Sequence, residues 1–259
     1  MYTGESKGND RRQLVHIESP PIDEEYFEWI ALMTAVVHAR DRFCLAEIGA
    51  GWGRWMISAA ALCRQRGMPF HLIGVEAEPS HFEWMKMVLR DNDIDPEAQD
   101  LRYGAASDRD REAVLLTGPD PPEKVWGHRT IRAEELPNWI DLPGYKLRTV
   151  PGFSLASALA GCDRVDLVDV DIQGVEHEIL EPAFDTLNAK VSMVHVGTHS
   201  THAEESLRHA FQRHGWHNAF SFPCHHTTDT PFGPVSFTDG VETWVHPTRI
   251  DLLAALTEI

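Results

Sequence analysis

A doubly wound α/β fold around a mostly parallel sheet is the architecture the sequence predicts, and three observations predict it. Short apolar runs alternate with amphipathic stretches along most of the chain, the pattern of parallel strands joined by crossover helices. The first run leads into AEIGAGWGRW, Ala46 to Trp55, with glycine at every second position from Gly49 to Gly53, so that the main chain can pass close to a ligand. The second run, FHLIGVE, ends in Glu76. That places an acid one βα unit after the loop, where a carboxylate can accept hydrogen bonds from both hydroxyls of a ribose.

The elements follow in order. Residues 1–20 are polar and aperiodic, with a helix start signalled only after Ser19-Pro20-Pro21, so residues 1–21 read as an arm that can serve as a lid on a domain spanning 22–259. From Asp23 to Arg40, Phe27, Ile30, Met33, Val36 and Val37 recur at helical spacing, predicting a helix packed on the sheet. Then come FCLAEIG as a strand, a helix over 54–66, FHLIGVE, a helix over about 80–91, and LRYGAAS as a strand. Residues 118–144 hold five prolines without a sustained period and read as a substrate-side insertion. Trp126 and Trp139 within it could wall an acceptor pocket. The pattern resumes with VDLVDVDIQG, a helix over 175–187, VSMVHVG and a helix over 203–214. Last, VSFTDGVETWV predicts a hairpin about Asp239-Gly240, closing a seven-stranded sheet with an antiparallel pair.

Composition limits the partners. The net charge is −17, from 40 acidic and 23 basic side chains, a field that repels nucleic acid and anionic membranes. The expectation is a small-molecule ligand with neither nucleic acid nor membrane as partner, and a homodimer stays open. The cysteines Cys44, Cys63, Cys162 and Cys224 are scattered, as in a reduced compartment. With no long apolar run and no basic-then-apolar start, the expected location is cytoplasmic.

Dinucleotide loops place a third glycine where Arg54 stands here. The spacing is instead E-x-G-x-G-x-G, Glu47 through Gly53, which resembles the first motif of class I S-adenosylmethionine-dependent methyltransferases. That resemblance implies a Rossmann-like fold and S-adenosylmethionine contacts at Glu47, Gly49, Gly51, Gly53 and Glu76. Glu47 either organises the loop or meets the ligand's ammonium. Glu78 competes with Glu76 for the ribose, although Pro79 suggests that Glu78 already starts a helix. In order, AEIGAGWG, VEAEPSHFEWMKMVLRDN, YGAASD, FSLASAL, VDLVDVDIQGVEHEIL and VSMVHVGTH resemble the FkbM-type methyltransferase family over roughly residues 43–216. The match implies that Ala106 touches the cofactor and that the reaction is O-methylation of a sugar or secondary metabolite. Asn92, Leu155, Asp171, Gly174 and Glu176 match the family pattern. Asp169, Gln173 and Ala156 depart from it, which loosens the transfer of substrate or base and leaves a catalytically inactive cofactor-binding scaffold as an alternative; an NAD-dependent oxidoreductase is the other, because NAD enzymes place an acid much as Glu76 is placed.

Methyl transfer from a sulfonium needs an aligned, desolvated nucleophile that sheds its proton. Asp171 and His199 follow the carboxyl ends of two strands, where ligands of such sheets bind. Strand alternation puts Asp169 on the face of Asp171, opposite Val168 and Val170. Two mechanisms fit. Either His199 or Asp171 is a direct general base, with His199 favoured by its ordinary pKa. Or Asp171 and His199, with Asp169 or His202, hold a divalent metal that activates the hydroxyl. His195 reads as a core residue of its strand.

Overall fold

The computed structural model describes residues 21–118, 129–131 and 143–257. Its strands are β1 (Phe43–Ile48), β2 (Phe70–Glu76), β3 (Asp100–Tyr103), β4 (Ala105–Ala106), β5 (Arg111–Thr117), β6 (Arg129–Ile131), β7 (Lys146–Phe153), β8 (Leu167–Val170), β9 (Met193–Thr198), β10 (His217–Phe222), β11 (His226–Thr230), β12 (Gly233–Phe237) and β13 (Gly240–Val245). Seven of them form the central sheet in the order β10-β13-β9-β8-β1-β2-β3. All neighbours pair in parallel except β13, which runs antiparallel to both β9 and β10.

The helices are α1 (Glu24–His38), α2 (Arg54–Gln65), α3 (Pro79–Asp91), α4 (Leu155–Ala158), α5 (Glu176–Leu180), α6 (Phe184–Lys190), α7 (Thr201–Arg213) and α8 (Ile250–Thr257). Their starts follow local chemistry: the side chains of Asp23, Glu78 and Ser200 accept from the amides of Tyr26, His81 and Ala203, satisfying first-turn donors that lack a helical partner. Odd-numbered residues of β1, β8 and β9, such as Leu45, Leu167 and Met193, pack with α1, α2 and α8. Even-numbered residues of those three strands, including Val168, Val170 and Val194, pack with α4, α6 and α7. The two layers leave the carboxyl ends of the parallel strands free to form a site.

Four elements differ from the sequence reading. The antiparallel pair at the sheet's C-terminal edge is β10 with β13, and Asp239-Gly240 does not turn a hairpin. β12 pairs instead with β11 as a separate two-stranded ribbon between them, because Gly233 already supplies a left-handed turn. The helix expected over 175–187 is split into α5, a 3₁₀ turn at Glu181–Ala183, and α6, since Pro182 donates no amide hydrogen bond. LRYGAAS divides at Gly104: its first half pairs with β2, its second with β7. A second sheet, β4-β7-β5-β6, flanks the predicted insertion. Of that insertion only β6, with Gly118, Pro143 and Gly144, is described. The arm up to Pro20, Trp126 and Trp139 lie outside the described residues.

α1 is tied down by an aromatic cluster. The Phe27 ring is 4.7 Å from Phe222, 5.3 Å from Phe220 and 5.8 Å from Phe237, centroid to centroid. The cluster joins the helix to the edge strand and to the inserted ribbon, and so fixes α1 over the strand ends. Phe27→Ala is expected to cost ~3–5 kcal/mol of unfolding free energy, the range for emptying a buried aromatic position. Urea denaturation reads the loss, and an unchanged midpoint would contradict this role for the cluster.

Candidate active site

The loop after β1 turns by left-handed glycines: Gly49, Gly51 and Gly53 have φ of +84°, +53° and +80°. At Gly49 the requirement is also steric, because a Cβ there would stand 1.8 Å from the Asp171 carbonyl oxygen. The ends of β1 and β8 therefore meet backbone to backbone, and the Asp171 amide donates to the Ile48 carbonyl at 2.9 Å.

Glu47 organises this loop. It is 3% exposed, and its two carboxylate oxygens accept from the amides of Met56 at 2.9 Å and Trp55 at 3.4 Å. It thereby caps α2, whose own N-cap, Gly53, has no side chain to do so. Burial and the nearby Asp169 push its carboxyl well above the usual range. Glu76 ends β2 and reaches back to the same loop, accepting from the Gly51 amide at 2.7 Å and the Glu78 amide at 2.7 Å. Burial raises its pKa to about 7. Glu78 is occupied as the cap of α3, accepting from His81 at 2.8 Å.

These groups border a cavity of about 440 Å³ at the strand carboxyl ends, which takes in Glu47, Gly49, Gly51, Glu76, Ala106 and Asp171. Gly53 turns the loop behind that wall and packs toward Met85. On the opposite wall stands a group of titratable side chains after β8 and β9. His199 Nδ1 is 2.6 Å from Glu176 Oε1, and its Nε2 faces Gln173 Nε2 at 2.8 Å and Asp171 Oδ1 at 3.3 Å. Burial alone would lower the His199 pKa, but the hydrogen bond and charge of Glu176, with Asp171 and Asp239, overcome it and raise the value to about 9. Burial raises Asp171 to about 6 while His199 pulls it down. Asp171 lines the cavity with its side chain 51% exposed, whereas His199 stands behind it at 12%.

Asp169 and His195 lie deeper. His195 is a strand residue of β9, 1% exposed, with Nδ1 2.9 Å from Thr243 Oγ1. Of the metal set read from the sequence, Asp171 and His199 stand 3.3 Å apart. Both ring nitrogens of His199 already have partners, and His202 packs its ring edge-on against His177. Asp169 meets Glu28 and His195, the three offering ligand atoms all within 4.8 Å of one another. Glu28 was not a candidate in the sequence, because a single acid on an amphipathic helix carries no spacing that marks it as facing inward.

No protein-family model matches the chain. It is 31% identical over 198 residues to a protein from Jannaschia sp. (strain CCS1) named as a methyltransferase, a match that covers 73% of this chain and 67% of that protein. Among solved structures it is similar to the FkbM methyltransferase from Methylobacillus flagellatus KT, with a TM-score of 0.50 and 12% identity over 86% of this chain and 50% of that one. It is also similar to the precorrin-6y C5,15-methyltransferase from Geobacter metallireducens GS-15, with a TM-score of 0.43 and 14% identity over 84% and 87% of the two chains.

Two outcomes follow from the geometry. Gly49→Ala combines a left-handed backbone with a collision against the Asp171 carbonyl, so it should cost ~3 kcal/mol or more of stability; a thermal melt matching wild type would refute the close approach. For His199 the folded pKa of about 9 lies above the ordinary 6.5, so its contribution to stability is full below pH 6.5 and is lost as pH rises through about 9. The deficit of His199→Asn against wild type, measured by urea denaturation across that span, should be largest at the acid end and shrink toward the alkaline end.

Proposed function

The chain belongs to the class I S-adenosylmethionine-dependent methyltransferases, and from that premise we propose that it methylates a hydroxyl oxygen of a small molecule as an FkbM-type enzyme. The family membership removes the oxidoreductase alternative. The observation that carries the reading is Asp171: a half-exposed carboxylate on the cavity wall, backed by His199, which Glu176 in turn holds. The run of motifs from AEIGAGWG to VSMVHVGTH supports the FkbM assignment.

In this reading the glycine loop would hold the donor, with the first-turn amides of Trp55 and Met56 kept by Glu47. The donor's ribose hydroxyls donate to Glu76, whose two oxygens offer about four acceptor sites, two of them taken by loop amides. Ala106 borders the nucleoside. The donor, when bound, would supply an electrophilic methyl group to the acceptor's oxygen, and Asp171 on the cavity wall takes the hydroxyl proton. His199, charged at neutral pH, keeps that carboxylate oriented and ionised. The acid-rich wall, with Glu24, Glu25, Glu28 and Asp239 beside the groups above, disfavours a polyphosphate acceptor, as does the net charge of −17.

Paired substitutions separate holding the donor from activating the acceptor. Glu76→Gln is expected to weaken S-adenosylhomocysteine binding about ten- to a hundredfold in calorimetry. Because Glu76 also holds the Gly51 and Glu78 amides, some loss of stability accompanies it. Asp171→Asn should leave that affinity within about threefold while the rate of methyl transfer falls by ~10² or more. The assay uses donor labelled in the methyl group with a panel of phenols, sugars and a structured RNA. Label appearing in the RNA, or Asp171→Asn transferring at the wild-type rate, overturns the reading.

A further inference from the structure

Beneath the cavity, four neighbouring strands carry polar residues in one row. Glu47 of β1 is in register with Asp169 of β8, Asp169 with His195 of β9, and His195 with Thr243 of β13. Parallel and antiparallel register both keep these side chains on one face of the sheet, the face that α1 covers. From α1, Glu28 descends onto the row and meets Asp169 and His195, with the three potential ligand atoms within 4.8 Å of one another.

His195 supplies a second, independent observation. It is 1% exposed, Thr243 engages its Nδ1, and its Nε2 is buried without a hydrogen-bond partner. An orphaned buried ring nitrogen costs on the order of 1–3 kcal/mol, and this one sits where two carboxylates converge and lines the same cavity as they do. With Nδ1 donating to the Thr243 hydroxyl oxygen, one of the two roles that contact allows, Nε2 keeps its lone pair for a ligand. Asp169 is equally exceptional. It is 5% exposed, and burial and the charge of Asp171 act on it with no hydrogen bond to offset them. Arg54, the cation on this wall that acts on Glu28 from a distance, is itself held by both oxygens of Glu25.

We propose that Glu28, Asp169 and His195 form a binding site for a divalent first-row transition cation. Two carboxylate oxygens and one neutral imidazole are a donor set suited to Mn²⁺, Fe²⁺ or Zn²⁺, and poorly suited to the soft ions that thiolates select. A common ion about 2.0–2.2 Å from each donor draws the three atoms to about 3–3.5 Å apart, which small side-chain rotations within the 4.8 Å cluster supply. Thr243 then acts from behind the ligand, fixing the ring orientation and tautomer of His195 as outer partners of metal-bound histidines do. The site lies below Asp171 and His199 and shares no ligand with that pair. It rests on the donor geometry alone, not on the acceptor assigned above.

The test is direct binding of Mn²⁺ to the chelator-treated full chain without donor or acceptor, read by loss of the free-ion paramagnetic resonance signal. The expected result is about one ion per chain at micromolar affinity, with the affinity falling about tenfold or more in Glu28→Gln, in Asp169→Asn and in His195→Gln. Thr243→Val should weaken it about tenfold through the ring orientation, and Asp171→Asn should leave it within about threefold. Each variant is first shown to keep the wild-type circular dichroism spectrum; Thr243→Val removes no ligand and serves as the probe if a ligand substitution prevents folding. Absence of stoichiometric Mn²⁺ binding to the folded wild type, or binding that Glu28→Gln and Thr243→Val both leave unchanged, overturns the proposal. So does binding that Asp171→Asn abolishes, which would move the ion to the rim of the cavity.

Discussion

The structure is organised around a row of buried polar side chains, Glu47, Asp169, His195 and Thr243, laid across four adjacent strands. Placing two carboxylates side by side in the interior of a sheet is costly unless each finds donors or a counter-charge. Glu47 finds two amides at the start of α2, and that requirement sets where α2 begins. The glycine loop must then cross from the end of β1 to that start in a fixed number of residues. Asp169 and His195 find no such donors, so the same row that anchors the loop leaves a chemically unsatisfied patch on the cavity floor.

The cavity is thus a consequence of how the strand ends are held. Gly49 brings the β1 loop against the backbone of Asp171, and Glu76 ties Gly51 to the turn that begins α3. One wall is built almost wholly from main-chain amides and the carboxylates that restrain them. The other is built from side chains after β8 and β9, where Glu176, His199, Gln173 and Asp171 form one connected group. A wall of fixed amides suits a donor molecule common to a whole family, while a wall of side chains can change with the acceptor.

α1 closes the arrangement from the side. Its aromatic anchorage to β10, β12 and the edge of the sheet holds Glu24, Glu25 and Glu28 along the cavity, where they add to the negative field of the strand-end acids. Burial and this mutual repulsion raise the carboxyl groups of Glu28, Asp169 and Asp171 together. A positively charged occupant would relieve that repulsion.

The amino-acid sequence by itself determined the parallel sheet, the glycine loop, the helix starts at Asp23 and Glu78, and the placement of Asp171 and His199 after neighbouring strands. Each depends on local spacing: period two in strands, period 3.6 in helices, glycine where the chain must turn. Tertiary structure alone decided that β12 pairs with β11 and not across Asp239-Gly240, because two competing turns of similar local quality were separated only by which partner strand lay free. It also decided that Glu28 meets Asp169 and His195, residues more than 140 positions apart from it. No periodicity encodes that meeting; it arises from the register of β8 with β9 and the way α1 lies across them. The orphaned nitrogen of His195 was equally invisible in the sequence, since a histidine in an apolar run shows only that it is buried, and whether its second nitrogen has a partner depends on what other segments bring to that face.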